Sequence, residues 1–426
     1  MKHKISLAGT TFFYFFILSF TVSVQASFAN EAKVSTKGFT EAGVCKECHA
    51  AIYNNWKSSL HAASVSDPVF EAAFMQAIKE HGEGSRQSCL SCHSPTTRFT
   101  GDYNLKADIS NEGITCSFCH TITGVDLTKN IPVISNEPGN MIRGPLSDVS
   151  SPAHNIKPSN LHLSSDICGG CHELKGSNGV PILSTYSEWK ESPYSKEGIE
   201  CQNCHMPEIF GVPDINPDVK KTDHFAKDHA VLGGHSQIKL NKAATVFSNV
   251  EDSGNKILVR TTVNNRESGH KLPTGVPSRK ILLTVSLKNA GGVVISEQSR
   301  TYEKVLVDDT GKILTDISDL FTKSFKVLSD NRIAPKEARI ETFEFVKPVG
   351  LKGYQIDSIL QYQFQIPVLS VQNMDVEMAH DTYESSEIAK EQESTPFNTI
   401  IIISFILGAL ITFLIYKAYN KYTNQK

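Results

Sequence analysis

Five times between residues 45 and 205 the chain writes Cys-x-x-Cys-His: Cys45-Cys48-His49, Cys89-Cys92-His93, Cys116-Cys119-His120, Cys168-Cys171-His172 and Cys201-Cys204-His205. All ten cysteines of the 426-residue chain belong to this pattern. It is the pattern of c-type haem attachment, in which two thiols add to the haem vinyl groups and the adjacent His lies under the iron. Zinc sites pair Cys-x-x-Cys units with one another or with spaced histidines, and do not demand His at the next position five times. Redox disulfides leave the His equally unexplained. The motifs therefore imply five covalently bound haem c groups, with His49, His93, His120, His172 and His205 as proximal iron ligands. Residues 30–240 are rich in turn signals and short apolar pieces and make a poor core alone. The expectation there is short helices and loops wrapped around five c-type haems.

The sixth positions need a second set of ligands. Of 15 histidines, five are proximal, His3 lies in the leader and His380 near the C-terminal end. Eight candidates remain for five positions: His61, His81, His154, His162, His224, His229, His235 and His270. Bis-histidine ligation is possible throughout, and haems without Met ligands sit at the lower range of potentials. In CKECHAAIYNNWKSSLHAAS (residues 45–64), a continuous helix places His61 about 18 Å along the axis from His49. His61 cannot then complete the haem of its own motif and is assigned to a neighbouring one. The pattern Tyr53-x-x-Trp56-x-x-Ser59-x-His61 recurs as Tyr186-x-x-Trp189-x-x-Ser192-x-Tyr194. Either the second copy has lost its ligand role and its Trp packs on a porphyrin, or one haem has an unusual sixth position.

The flanks specify export and anchoring. Lys2 and Lys4 precede an apolar run ending near Ala26 and Ala29, which reads as a signal peptide over residues 1–29. Residues 398–416 carry no charge, and nineteen helical residues reach about 28 Å, close to the hydrocarbon thickness of a bilayer. Glu391 and Glu393 precede this run and Lys417, Lys421 and Lys426 follow it, so residues 417–426 should be a cytoplasmic tail behind a transmembrane helix at 397–416. Residues 371–396 are polar and acidic and read as a stalk. Between haem region and stalk, Ile257-x-Val259-x-Thr261-x-Val263, Ile281-x-Leu283-x-Val285-x-Leu287 and Tyr362-x-Phe364-x-Ile366 alternate with period two. Turn clusters at 289–292, 308–311 and 329–331 separate the runs. Residues 241–370 are thus expected to form an antiparallel β-sandwich, which makes the whole an α+β chain. Within it, Ser268-Gly269-His270-Lys271-Leu272-Pro273-Thr274-Gly275 reads as a stiff loop able to present His270 to a haem across the domain interface.

Over residues 40–275 the chain resembles the multihaem c-type cytochromes of the cytochrome c554 family. The resemblance is carried by the opening stretch together with GITCSFCHTI, RGPLSDVSSPAHNIKPSNLHLSSDICGGCHE, TYSEWKESPYSKEGIECQNCHMP, DHAVLGGH and GHKLPTG. It implies closely stacked, predominantly bis-histidine haems. It also makes His61, His154, His162, His229 and His270 the distal set, with His235 and His224 in reserve.

These readings converge on a membrane-anchored pentahaem electron carrier on the periplasmic side of the cytoplasmic membrane. Its redox partners would be a membrane or quinol-linked donor and a periplasmic acceptor. A rival is a multihaem oxidoreductase acting on nitrite or hydroxylamine. A binding module built on the sandwich would leave the haems without purpose. The net charge of −3 gives no nucleic-acid footprint.

Overall fold

The computed structural model describes residues 35–209, 226–364 and 374–388, together with Ile411 and Lys417. The expected signal peptide, His224, Ile366 and the expected transmembrane segment other than Ile411 lie outside the described residues. Among the described residues no helix is long and apolar enough to cross a membrane.

The N-terminal region is built from helices of 4 to 14 residues and two-stranded ladders. Four of the five Cys-x-x-Cys-His units lie in short helices: Gly84–His93, Cys116–His120, Asp166–His172 and Cys201–His205. One helical turn puts positions i, i+3 and i+4 on one face, so both thiols and the imidazole point the same way. The helix over Ala50–Lys57 stops short of His61. The chain turns from residue 58 to 66, which takes His61 off the helix axis assumed from the sequence. Apolar clusters here are small, the larger being Phe39, Ile109, Phe118, Ile122 and Ile134.

From residue 244 the chain forms seven long strands: β1 (Ala244–Asp252), β2 (Lys256–Asn265), β3 (Arg279–Asn289), β4 (Val294–Tyr302), β5 (Ala338–Val346), β6 (Tyr354–Phe364) and β7 (Met374–Glu384). One sheet has the order β5-β2-β1 and the other β4-β3-β6-β7, antiparallel throughout. The alternating apolar residues of β2 and β3 turn inward from the two sheets. Ile257, Val259 and Val263 join Ile281, Leu283, Val285 and Leu287 in one buried core with Phe343, Phe345, Ile356 and Leu360. Burying each such side chain contributes about 1.5–3 kcal/mol, which is why period two specifies these faces.

The stalk expected over 371–396 needs correction. Residues 374–384 are strand β7, paired along β6 with a register shift between Leu360 and Gln361. That bulge changes which residues face inward: Val376 and Met378 point to the core before it, Asp381 and Tyr383 after it. One extra residue in a strand breaks the period-two signal, and the inward set includes a carboxylate. Asp381 accepts a hydrogen bond from the Ser248 amide at 2.7 Å, which satisfies it there.

The two regions pack together. Val69 and Ala73, from the helix Pro68–His81, lie against the sandwich core. The Tyr194 hydroxyl donates to the Arg266 carbonyl at 2.9 Å. Arg332 of the sandwich meets the buried Glu188 at 2.7 Å, and Glu188 also accepts from the Thr274 hydroxyl at 2.7 Å. The loop carrying His270 is held by these bonds.

Candidate haem centres

The helices bring each proximal imidazole to a defined neighbour. Ring centres are 6.4 Å apart for His49 and His154, 6.4 Å for His61 and His172, 6.3 Å for His120 and His229, and 6.4 Å for His205 and His270. An imidazole nitrogen binds a first-row metal at about 2 Å, and the ring centre lies about 1.1 Å behind it. Two histidines on opposite faces of one iron therefore have ring centres about 6.2 Å apart. The four separations match that requirement.

The outer nitrogens agree. Nδ1 of His120 lies 2.6 Å from the Arg143 carbonyl, of His205 2.7 Å from Leu232, of His229 2.7 Å from Lys227 and of His270 3.1 Å from Lys271. His93 makes the same contact with the Ser64 carbonyl at 2.9 Å, and His154 a longer one with Asn155 at 3.3 Å. An Nδ1–H tied to a carbonyl fixes the tautomer and leaves Nε2 free to bind metal. Burial also favours the neutral form of several of the ligand-set rings. It pushes His120 and His205 down to about 4 and His172 to about 3, and lowers His61, His93 and His270 as well. The donor sets fit covalently held haem.

Two expectations fare differently. His162 stacks on His120 at 5.5 Å, too close for an iron between them, and its Nε2 is 3.1 Å from the Cys119 carbonyl. The place opposite His120 is taken by His229, so His162 does not join the distal pattern. His93, in turn, has no histidine ring opposite it among the described residues. Its ring stacks on Phe70 at 3.9 Å. Of the reserves, His235 lies edge-on to Phe364 at 6.0 Å, and Asp67 acts on both His235 and His93. His81 contacts the hydroxyls of Ser318 and Thr322.

The cysteines show how the motifs neighbour one another. None of the ten cysteines forms a disulfide. Cys45 lies beside Cys116, Cys92 beside Cys171, and Cys168 beside Cys201. Cys119 stands near Cys168 and Cys171. The motifs thus form a connected set: first to third, third to fourth, and from the fourth to both second and fifth.

The Tyr-x-x-Trp repeat is a repeat in space too. The indoles of Trp56 and Trp189 donate to the carbonyls of Ile114 and Ile199, each at 2.8 Å and each two residues before a motif cysteine. The Ile114 amide then donates to the His61 carbonyl at 3.0 Å, and the Ile199 amide to the Tyr194 carbonyl at 2.9 Å. Gly113, at φ +68°, lets this crossing approach: a Cβ there would collide with the Ser64 hydroxyl and the His61 carbonyl. Tyr194 therefore occupies the place of His61, with its hydroxyl committed to Arg266. The sequence showed the tyrosine–tryptophan spacing but not the indole bonds, whose acceptors lie 58 and 10 residues downstream.

Residues 44–121, which contain the first three motifs, match the family described as Cytochrome c554 and c-prime. No curated protein matches the chain. Among solved structures, a penta-haem cytochrome c552 from Thermochromatium tepidum superposes with a TM-score of 0.68 at 21% identity, covering 82% of this chain and 100% of that one. A putative β-galactosidase from Bacteroides fragilis covers 33% of this chain and 17% of its own at 10% identity, and its TM-score of 0.18 carries no weight. With its five attachment motifs and the match over 44–121, this chain is similar to the multihaem c-type cytochromes of the cytochrome c554 family.

Proposed function

We propose that the protein is a pentahaem electron carrier anchored in the cytoplasmic membrane with its haem region on the periplasmic side. It would pass electrons between a membrane or quinol-linked donor and a periplasmic acceptor. The observation that carries the electron-transfer reading is the set of four histidine pairs at 6.3–6.4 Å, linked by thiol contacts between motifs. Haem c supplies one-electron exchange between ferric and ferrous iron. The ten cysteines would fix five such groups, and His49/His154, His172/His61, His120/His229 and His205/His270 would close both faces of four of them. An iron with two protein ligands has no position for substrate, which suits transfer rather than chemistry. Anchoring rests on the uncharged run 398–416 and its flanking charges.

A specific observation favours a second reading at one position. His93 stacks on Phe70 at 3.9 Å, whereas the other proximal histidines each have a second imidazole 6.3–6.4 Å away. An iron held by His93 alone would accept a small ligand such as nitrite or hydroxylamine. Titrating the oxidised protein with either compound separates the readings. The carrier reading predicts that electrons pass to a protein acceptor and that neither compound is turned over. Sustained consumption of one of them, lost in a His93 variant, would establish the oxidoreductase instead.

A further inference from the structure

The seven strands give the sandwich two different ends. At one end lie the loop 266–278 with His270 and the contacts to the haem region. At the other lie the turns β1–β2, β3–β4 and β5–β6 and the end of β7. Register places Lys256 beside Val346, Asn289 beside Tyr354, and Gln355 beside Glu384. The two sheets meet here through Lys347, whose ammonium lies 5.1 Å from the centre of the Tyr354 ring. The Ser385 amide donates to the Tyr354 carbonyl at 2.9 Å, and Ile388 packs beside Gly353. The described chain thus leaves the sandwich at this tip, and nine residues, 389–397, separate it from the uncharged run 398–416.

Two of the turns at this tip carry exposed valines, while the β1–β2 turn is polar. Val349 is fully exposed, Val346 76% exposed, and Val293 and Val294 62% and 49%. They come from two turns, one on each sheet. Lys347 is paired with Asp252 at 2.6 Å and Lys256 with Glu344 at 2.5 Å, while Lys352 is exposed and makes no ion pair among the described residues. Exposed valines gathered on one end of a domain call for a partner that excludes water.

We infer that this valine-bearing tip rests on the lipid bilayer surface, with Val349, Val346, Val293 and Val294 reaching into the interfacial layer. The inference rests on the proposal that residues 397–416 span the membrane. The exit of the chain at the same tip chooses the bilayer as occupant, because nine residues keep the tip within about 30 Å of the span and the exposed valines favour contact over separation. With local ion pairs consuming most of the charge, apolar contact rather than anionic lipid holds the tip. One consequence concerns electron flow. Strand β3 has 11 residues, and at about 3.3 Å per residue it spans about 35 Å. The sandwich then stands upright and holds the His205/His270 centre roughly one strand length above the lipid. A quinol within the bilayer could not reduce it directly, so the donor must present its own cofactor at that height.

The test uses the full chain with its haems in phosphatidylcholine nanodiscs. A photoreactive benzoylphenylalanine is placed at one position per variant: Val349→benzoylphenylalanine or Val293→benzoylphenylalanine at the tip, Arg266→benzoylphenylalanine at the haem end, and Phe405→benzoylphenylalanine in the span. Mass spectrometry after illumination should find phosphatidylcholine adducts at 349, 293 and 405, with at least about tenfold less at 266. Adding Val349→Asp to the 293 variant should cut its adduct severalfold. Lipid adducts at 405 but not at 349 or 293 would overturn the inference and leave anchoring intact. Absence of adducts at 405 as well would overturn both.

Discussion

At the scale of single residues, the imidazole pairs separate what is local from what is not. Cys-x-x-Cys-His is legible because one helical turn suffices to gather its three side chains. Which second histidine faces each one is decided by the whole chain: His154 reaches back 105 residues to His49, and His61 forward 111 to His172. The distal set implied by resemblance named four rings that stand opposite a proximal one. It also named His162, whose Nε2 is engaged with a carbonyl. His270 is the clearest residue to change, since its loop belongs to the sandwich. His270→Ala should convert one haem to high-spin without altering haem content, read by electron paramagnetic resonance and pyridine haemochrome. An unchanged spin count would remove His270 from the ligand set. The same burial sets the response to acid. Burial pushes His120, His172 and His205 down to about 4, 3 and 4, favouring their neutral forms in the fold. In the unfolded chain they take up protons below about 6.5, so the folded state loses stability as pH falls from about 6.5 towards 4. The thermal midpoint should be flat from pH 8 to 7 and fall steadily below 6.5. A midpoint unchanged to pH 4.5 would contradict this.

At the scale of elements, the sandwich was readable where alternation was uninterrupted, in β2, β3 and β6. It was unreadable in β7, where a bulge and an inward Asp381 imitate a polar stalk. The short helices of the N-terminal region leave too little sequence for periodicity. Their placement comes from cross-ties such as the Trp56 and Trp189 indole bonds. The sandwich core should behave as an ordinary one. Leu283 is fully buried between the sheets, so Leu283→Ala should cost about 2–5 kcal/mol in denaturant unfolding of the intact protein. Because the His270 loop joins β2 to β3, the same change should raise the high-spin fraction before global unfolding. A loss below about 1 kcal/mol would mean that the core repacks without strain.

At the scale of the whole molecule, thiol contacts order the centres from the first motif through the third to the fourth, which touches both the second and the fifth. The fifth adjoins the sandwich through His270, while the second carries the histidine without an imidazole opposite. The array thus has a sandwich-held end at His270 and an end at His93, whose ring stacks on Phe70. The central claim is five attached haems, four closed by histidine pairs. It is tested most directly by haem content and spin quantification on one sample of oxidised full-length protein. Pyridine haemochrome should give five haems per chain, and integrated paramagnetic resonance should give four low-spin irons and one high-spin iron. Fewer than five haems, or more than one high-spin iron at neutral pH, would contradict it.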